Sequence, residues 1–430
     1  MAKIAILANF AEINHGYSLT GIVEDQIEML AARGHDVDLF VQESFNFETT
    51  NERFRLAGIH AALPRTNLVD YVSQADLSDE HAGLAWQIEK LLTPDLTSFD
   101  LVITHDWIFT GWNYPYALSV SNIGQSLPDL QWLHWVHSIP SGQRDWWDIK
   151  KYGPRHRVVY PNLTDLTRAA EAFRSDRPGQ VIAIPHIKDP RSWFDFCPET
   201  CALIDQVPGL MAADVVQVLP ASTDRLKYKG VEDVIRIFAV MKGAGRSVCL
   251  FVANQWATGR GQREDVAGYL HLAENLGLAP GREVVFSSEL DEGFQSGLSR
   301  RVIRELFLLS NLFVFPTHHE SFGLVVPEAA LSGVYFAGNR SLSQQLEVAG
   351  GAPAGAWFPF GSYESVPAKG GRAWRPEWLK AVALLILREM DNNATIQAKT
   401  RARQTLNRDA IYNRYYAPIL AEGQVERMAD

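Results

Sequence analysis

The chain has 430 residues, of which 47% are hydrophobic and 21% are charged, and its formal net charge is -10. This length exceeds one ordinary core and indicates two large folding units, while the composition excludes a mostly disordered or fibrous protein. The acidic charge argues against broad binding to a nucleic-acid backbone, and no apolar run approaches the roughly 20 residues of a membrane span.

The first residues predict a cytoplasmic protein. Positions 1–4 lead directly into a strand, without the long apolar stretch and cleavage pattern of a signal peptide. Three cysteines, Cys197, Cys201 and Cys249, fit neither an even disulfide framework nor a zinc pattern. We therefore expect reduced, structural cysteines and no metal site built on them.

Short apolar strands alternate with helical segments through the first half, which is typical of a parallel α/β sheet. After the first strand, a loop leads to a helix that closes at Arg33 and Gly34 with a basic last turn and a glycine cap. The predicted strands are residues 4–8, 37–41, 101–104, 132–136, 158–160 and 181–184.

The same alternation restarts after about Phe196 and predicts a second doubly wound domain. Residues 190–208 are interpreted as the linker between the two domains. Two such domains bind ligands at the carboxyl ends of their strands, in the cleft between them. The predicted strands of the second half are residues 215–219, 248–253, 283–286, 312–315 and 335–337.

The most informative segment is residues 315–328, which follows an apolar strand and precedes a short helix. It carries Glu320 and Glu328 with seven residues between them, around a Phe-Gly pair. Glu320 suits hydrogen bonds from sugar hydroxyls, and Glu328 suits a vicinal diol such as that of a ribose. The alternative interpretation makes Glu320 a helix cap and Glu328 an exposed surface charge.

Backbone N–H groups at the start of that helix lack helical partners and suit a phosphate. The absence of a side chain at Gly323 allows a close approach of the anion. The residues concerned are Phe322, Gly323 and Leu324.

This segment resembles the E-x7-E signature of glycosyltransferase family 4, whose members are retaining, nucleotide-sugar-dependent enzymes. The resemblance implies the α/β GT-B fold, with two doubly wound Rossmann-like domains facing each other across a cleft. It places acceptor binding in residues 1–197 and donor binding in residues 198–407. It also implies that the carboxyl-terminal helix, residues 408–430, packs back on the first domain.

Lys229 and Gly230 open a helix directly after a strand, where an ammonium can meet a diphosphate. The resemblance makes Lys229 the group that stabilises the leaving phosphate. Family members usually place an arginine four or five residues earlier. Here Asp224 lies five before and Arg225 four before, so Arg225 is the candidate and Lys227 the fallback. All three cations also have an ordinary interpretation as loop charges.

In the first domain, His105, Asp106 and Trp107 resemble the family's strand that ends in His-Asp. Gly21 lies in the loop that brings a glycine backbone near the donor phosphate in family members. His137 matches the histidine that contacts the transferred sugar, while His134 is the competing choice within the strand. Pro-His at positions 185–186 replaces the Pro-Asn-Gly common in the family.

Aromatic rings concentrate in one part of the first domain and suggest an acceptor site, since they stack on sugars and bases. Trp146 and Trp147 are the preferred candidates, together with Trp107, whereas core packing explains Trp132 and Trp135 equally well. Six of the twelve tryptophans belong to this group: Trp107, Trp112, Trp132, Trp135, Trp146 and Trp147.

The predicted activity is therefore metal-independent transfer of a hexose from a nucleotide-diphosphate sugar to an acceptor hydroxyl, with retention of configuration and without a cofactor. A small molecule, a lipid-linked sugar or a glycan is the favoured acceptor; a modified nucleobase or nucleic acid is less favoured. A nucleotide-sugar epimerase on the same fold and a catalytically silent binder remain alternatives.

Overall fold

A computed structural model describes residues 1–66, 71–108, 113–138, 144–351, 355–362 and 376–427. The chain forms two compact units. Unit 1 comprises Met1–Lys188 and Arg408–Asp430, and unit 2 comprises Asp189–Asn407.

Unit 1 contains a seven-stranded parallel sheet in the order β3-β2-β1-β4-β5-β6-β7. The chain therefore starts near the middle, moves to one edge, and then returns past β1 to the other edge. Such a reversal is the switch point of a doubly wound sheet. The strands are β1 (Lys3–Leu7), β2 (Asp36–Gln42), β3 (Gly58–Leu63), β4 (Leu101–His105), β5 (Gln131–Trp135), β6 (His156–Tyr160) and β7 (Val181–Ala183).

Apolar clusters cover both faces of this sheet, as parallel strands require. The carboxyl-terminal segment belongs to one of them, because Ile411, Tyr416 and Ile419 join the cluster that contains Ile4 and Val23. The helices of unit 1, numbered in chain order, are α1 (Ser18–Ala31), α2 (Asp79–Leu96), α3 (Tyr114–Ser126), α4 (Leu166–Ala172), α15 (Arg408–Ile411) and α16 (Ala417–Arg427), with a π-helical turn at Tyr412–Tyr416.

Unit 2 contains two three-stranded parallel sheets, in the orders β10-β9-β8 and β11-β12-β13. The strands are β8 (Val215–Ser222), β9 (Val248–Gln255), β10 (Val284–Phe286), β11 (Leu312–Phe315), β12 (Tyr335–Asn339) and β13 (Ala356–Phe358).

Side chains join β8 to β11. The buried Gln217 amide donates to the Val314 carbonyl at 2.9 Å and accepts from the Val314 N–H at 2.8 Å. Asn311 Oδ1 accepts from the Val216 N–H at 2.9 Å. Joined in this way, the strands follow the order β10-β9-β8-β11-β12-β13. This is the order of a doubly wound sheet, with β8 beside β11 at the switch point.

Helices complete unit 2, and two of them correct a sequence prediction. Residues 190–208 were expected to be a linker, yet they form helices and bury Leu203 and Ile204 in a core cluster. Proline misled the prediction, since Pro190 and Pro198 occupy first helical turns, where proline is favoured. The helices are α5 (Pro190–Trp193), α6 (Pro198–Gln206), α7 (Gly209–Ala212), α8 (Val231–Gly243), α9 (Arg260–Asn275), α10 (Arg300–Leu309), α11 (Val325–Leu331), α12 (Ser343–Val348), α13 (Pro376–Asp391) and α14 (Ala394–Thr405).

The predicted fold class, two doubly wound Rossmann-like α/β domains, is confirmed for each unit taken by itself. Every predicted strand is present, with ends shifted by up to three residues, while β3 and β13 were not predicted. Across the described ranges, none of the helices has the length and apolar character needed to cross a bilayer.

Candidate functional site

Two loops at the carboxyl edge of unit 2 carry most of the predicted donor residues. One follows β8 and ends at Lys229; the other follows β11 and contains Glu320. Because Gln217 holds β8 beside β11, both loops leave the same edge next to each other. Each residue was predicted at the end of a strand, and the structure brings the two loops into contact.

The contact between the loops depends on a glycine. Gly230 has a φ of +71°, in the left-handed region, and a Cβ at this position would lie 2.7 Å from Pro316 Cγ and 3.1 Å from the Pro316 oxygen. Beside it, the Tyr228 carbonyl accepts hydrogen bonds from the His318 N–H at 2.9 Å and from Thr317 Oγ1 at 3.1 Å. The loops are thus fastened by backbone contacts on either side of Lys229.

Lys229 and Glu320 form an ion pair at this junction, through Nζ and Oε2. Each side chain is only 13% exposed, and the Lys229 ammonium also lies over the Phe315 ring, 5.1 Å from its centroid. The Gln344 side-chain amide donates to the Glu320 carbonyl oxygen, which fixes the backbone of that loop. The predicted phosphate-binding cation and the predicted sugar-binding carboxylate therefore neutralise each other.

The two neighbouring cations are exposed. Arg225 Nη2 lies 3.4 Å from His319 Nδ1, so Arg225 reaches the loop after β11. Lys227 is exposed beside it. Asp224, the residue at the family's alternative arginine position, accepts a hydrogen bond from Gln262 Nε2 at 3.0 Å. Arg225 is accordingly the arginine near the Lys229–Glu320 pair.

The segment predicted to bind phosphate lies at the amino end of α11. Gly323 has a φ of +76°, and a Cβ there would stand 3.0 Å from Glu320 Cγ. Phe322 and Leu324 are 53% and 68% exposed. Within the described part of the chain, no group accepts a hydrogen bond from the N–H of Gly323 or Leu324. Both donors remain available for a ligand.

The second glutamate of the motif has a different environment. Glu328 is exposed on α11 and lines a groove of about 750 Å³ between α10 and α11. Arg300, Arg304 and Phe307 line the same groove from α10. The two carboxylates thus have different environments: Glu320 is paired and mostly buried, whereas Glu328 is exposed and lines an open groove.

At the carboxyl edge of unit 1, two predicted histidines are hydrogen bonded. His105 Nε2 lies 3.0 Å from Gln26 Oε1, and His105 Nδ1 lies 3.0 Å from His137 Nε2. With Gln26 Oε1 as acceptor, a neutral His105 donates from Nε2 and accepts at Nδ1. His137 then donates from Nε2, which leaves its Nδ1 as a hydrogen-bond acceptor. Burial lowers the pKa of His137 to about 4, so this ring is neutral at pH 7.

His186 extends this cluster and was not among the predicted site residues. Its ring stacks on His137, with centroids 5.2 Å apart, and on Trp135 at the same distance. Burial, followed by the neighbouring His137 and Lys188, lowers the pKa of His186 to about 4. Within the described ranges, Nδ1 of His137 and Nδ1 of His186 are buried without hydrogen-bond partners. The one sequence signal was the Pro-His that replaces Pro-Asn-Gly.

Asp106 supports the histidine cluster from a strained backbone. Its φ is +53°, which is uncommon for a residue with a side chain. Oδ1 accepts a hydrogen bond from the His137 N–H at 3.0 Å. Burial raises the pKa of Asp106 to about 6, against the lowering effect of that hydrogen bond. Asp106 therefore positions His137 through its backbone.

Two further predictions concern Gly21 and His134. Gly21 was expected in the loop before the first helix, but α1 already begins at Ser18, so Gly21 lies in its first turn, with open space around a Cβ. His134 is fully buried and connects Thr104 Oγ1, at 2.8 Å, to His156 Nδ1, at 2.9 Å. This hydrogen-bonded position identifies His134 as a core residue and leaves His137 as the histidine at the edge.

The tryptophans predicted to bind an acceptor lie in the core. Trp107, Trp146 and Trp147 are only 1%, 3% and 6% exposed and belong to one apolar cluster of unit 1. Trp146 stacks on Tyr114, with centroids 4.6 Å apart. Little of these three rings is exposed for stacking on an acceptor, and their role as acceptor-binding residues stays a prediction. Trp112 lies outside the described residues.

In the described ranges, no group of three or more His, Cys, Asp or Glu side chains is arranged to hold a metal ion.

No protein-family model and no curated protein matches the chain. Several solved structures align over nearly its whole length. Sucrose-phosphate synthase from Thermosynechococcus elongatus is 19% identical with a TM-score of 0.31, covering 100% of this chain and 99% of that one. A glycosyltransferase from Rickettsia africae ESF-5 is 13% identical with a TM-score of 0.32, covering 99% and 97%. The Anabaena protein HepE, in complex with UDP and glucose, is 16% identical with a TM-score of 0.34, covering 98% and 100%. These low scores leave the function to be argued from the chain's own geometry.

Proposed function

We propose that the chain is a retaining glycosyltransferase that moves a hexose from a nucleotide-diphosphate sugar to an acceptor hydroxyl. The observation that carries this proposal is the Lys229–Glu320 ion pair at the carboxyl edge of unit 2, with Arg225 and the open N–H groups of Gly323 and Leu324 in the adjoining loops. Cations and amides in this position suit a diphosphate, and a carboxylate among them suits sugar hydroxyls.

In this proposal, donor binding exchanges ion-pair partners. The diphosphate replaces Glu320 as the partner of Lys229, and the released Glu320 carboxylate accepts hydrogen bonds from the hexose. The exchange keeps both charges satisfied, which matters because breaking a largely buried pair without replacement costs about 3–5 kcal/mol.

Positive charge then acts on the leaving group. As the bond between the anomeric carbon and the phosphate oxygen breaks, negative charge grows on the departing diphosphate. Lys229 and Arg225 stabilise that charge more strongly than the ground state, which lowers the barrier. Because the side chains supply this charge, the proposed reaction requires neither a metal nor a cofactor. The acceptor hydroxyl attacks the anomeric carbon from the face that the phosphate leaves and passes its proton to the departing phosphate oxygen, which gives retention.

We assign His137 to a hydroxyl of the transferred hexose. Its Nδ1 is buried and has no partner among the described residues, and the hydrogen bonds of His105 make it an acceptor. His105 and Asp106 act as positioning residues, through the ring and the backbone of His137 respectively. The favoured acceptor is a small molecule or a glycan, since the net charge of -10 disfavours nucleic acid.

The test is incubation with a panel of nucleotide sugars and acceptor mixtures, followed by mass spectrometry. Glu320→Gln and Lys229→Ala are expected to reduce transfer at least a hundredfold, whereas Arg236→Ala, on α8, leaves it unchanged. Normal transfer by both site variants would refute the assignment. Conversion of the donor without any acceptor would instead identify an epimerase, and donor binding without turnover would identify a silent binder.

A further inference from the structure

The groove of unit 2 is built from one face of each of two helices. On α10, Arg300, Ile303, Arg304 and Phe307 recur at three- and four-residue spacing and line it together. On α11, Glu328, Leu331 and Ser332 do the same. The result is a space of about 750 Å³ with an apolar wall and a few polar groups, which is typical of a small-molecule site.

The arginines of α10 differ in how far they are already engaged. Arg301 Nε donates to the buried Glu305 at 2.7 Å, and its Nη2 donates to the Asp195 carbonyl at 3.1 Å. Arg304 has only a loose contact with Glu305, at 3.8 Å. For Arg300, no ion pair or hydrogen bond exists with any residue that the structure describes. Arg300 and Arg304 therefore retain guanidinium donors for a ligand.

The polar groups of α11 offer acceptors. Ser332 Oγ donates its proton to the Glu328 carbonyl at 2.8 Å, so its remaining lone pairs can only accept. The Glu328 carboxylate is also an acceptor. The groove thus presents guanidinium donors on one side and oxygen acceptors on the other.

We propose that this groove binds a guanine base, so that the donor is a guanosine-diphosphate sugar. This inference rests on the proposed function and on the expectation from the sequence that Glu328 binds the ribose of the donor. Guanine offers O6 and N7 to a guanidinium, and its N1–H and N2 amino group suit the Ser332 oxygen. Adenine presents an amino donor in place of O6. Uracil and cytosine lack N7 and the second ring that would cover the apolar wall.

Calorimetric titration of the full chain with free nucleoside diphosphates tests the base assignment. GDP is expected to bind at least about tenfold more tightly than ADP or UDP, consistent with the discrimination that arginine gives at guanine. IDP keeps O6, N7 and N1–H but lacks the 2-amino group, so it should bind within about threefold of GDP if the arginines read the base.

A second experiment replaces the two groove arginines with methionine, which removes the guanidinium group and keeps an apolar side chain. Arg304→Met combined with Arg300→Met should reduce the preference for GDP over ADP by about tenfold and leave the ADP affinity within about threefold. Arg236→Met on α8 is the matched control, and thermal unfolding of each variant verifies the fold. A preference for GDP that survives the double replacement overturns the proposal.

The outcomes also separate the base assignment from the proposed function. If ADP or UDP binds as tightly as GDP, and Glu328→Gln weakens whichever nucleotide binds, the guanine assignment fails while the proposed function stands. If none of the four diphosphates binds at millimolar concentration, both fail.

Discussion

Replacing Gly230 with alanine should destabilise unit 2 by about 2–5 kcal/mol and disrupt the Lys229–Glu320 junction. Two effects contribute. The left-handed backbone, at φ +71°, costs a residue with a Cβ about 1–2 kcal/mol. The new methyl would also meet Pro316 at 2.7 Å (Cγ) and 3.1 Å (O), and such overpacking typically costs about 1–3 kcal/mol. A proline ring and a backbone oxygen have little freedom to move aside.

The loss in free energy of unfolding is measured by urea denaturation, monitored by circular dichroism and tryptophan fluorescence. Gly268→Ala is the matched control, because Gly268 is exposed within α9, has no left-handed φ, and offers open space for a Cβ. Alanine there should stabilise the protein by about 0.5–1 kcal/mol through its higher helix propensity. The two glycine-to-alanine changes are thus expected to act in opposite directions.

A third variant separates the backbone cost from the steric cost at position 230. Asparagine tolerates the left-handed region better than alanine but carries the same Cβ, so Gly230→Asn should recover part of the backbone cost and none of the steric cost. If Gly230→Ala unfolds within about 0.5 kcal/mol of the parent, the close approach of the two loops is not the constraint described here.

The Lys229–Glu320 pair should behave as a coupled unit: Lys229→Met and Glu320→Gln each destabilise by about 3–5 kcal/mol because one charge is left without its partner, while the double variant loses much less than the sum. A double-mutant cycle with no coupling energy would contradict a paired resting state. Acid should weaken the fold. His137 and His186, with pKa values near 4, stay neutral in the folded state while the unfolded rings protonate near pH 6.5. Stability is therefore lost as the pH falls from about 6.5 towards 4, by about 2 kcal/mol for each ring at pH 5. Asp106, whose pKa is raised to about 6, binds a proton more readily in the folded state. It therefore stabilises the fold by about 1 kcal/mol over the same fall in pH and offsets part of the loss. These three groups give a net loss of roughly 3 kcal/mol between pH 7 and pH 5, and the buried His105, His134 and His156, whose pKa values are also lowered, add to it. Melting curves at the two pH values measure the loss, and equal stability at both would argue against buried neutral imidazoles.

The strands were predictable where their sequence is uniformly apolar. β11 was predicted as residues 312–315 and forms over Leu312–Phe315, since a strand covered on both faces leaves no position for a polar residue. β3 escaped prediction because it lies at the edge of its sheet with several half-exposed or exposed residues. The join between β8 and β11 was equally hidden, since Gln217 reaches Val314 across 97 positions of the chain.

Aromatic density does not by itself locate an acceptor site, for a physical reason. Trp146 and Trp147 were the preferred acceptor candidates, and both rings fold into the core of unit 1. A tryptophan buries so much apolar surface that burial is its default outcome, and no local pattern distinguishes a core ring from a stacking platform. His186 is the opposite case, a residue beside a predicted site residue that was not itself predicted. Its position next to His137 depends on the ends of two separate strands, which no local pattern in the sequence reveals.

The ion pair at the carboxyl edge of unit 2 gives the site a property that neither residue has alone. Lys229 and Glu320 lie 91 positions apart, and their pairing keeps two largely buried charges compensated before a ligand arrives. A neutral sugar gains little from this arrangement, because Glu320 can turn to its hydroxyls only by abandoning Lys229. Under the proposed function, a diphosphate would replace Glu320 as the partner of Lys229 and release the carboxylate in the same event. The site should therefore bind anion and sugar cooperatively, so that free hexoses bind weakly and a sugar attached to a diphosphate binds well.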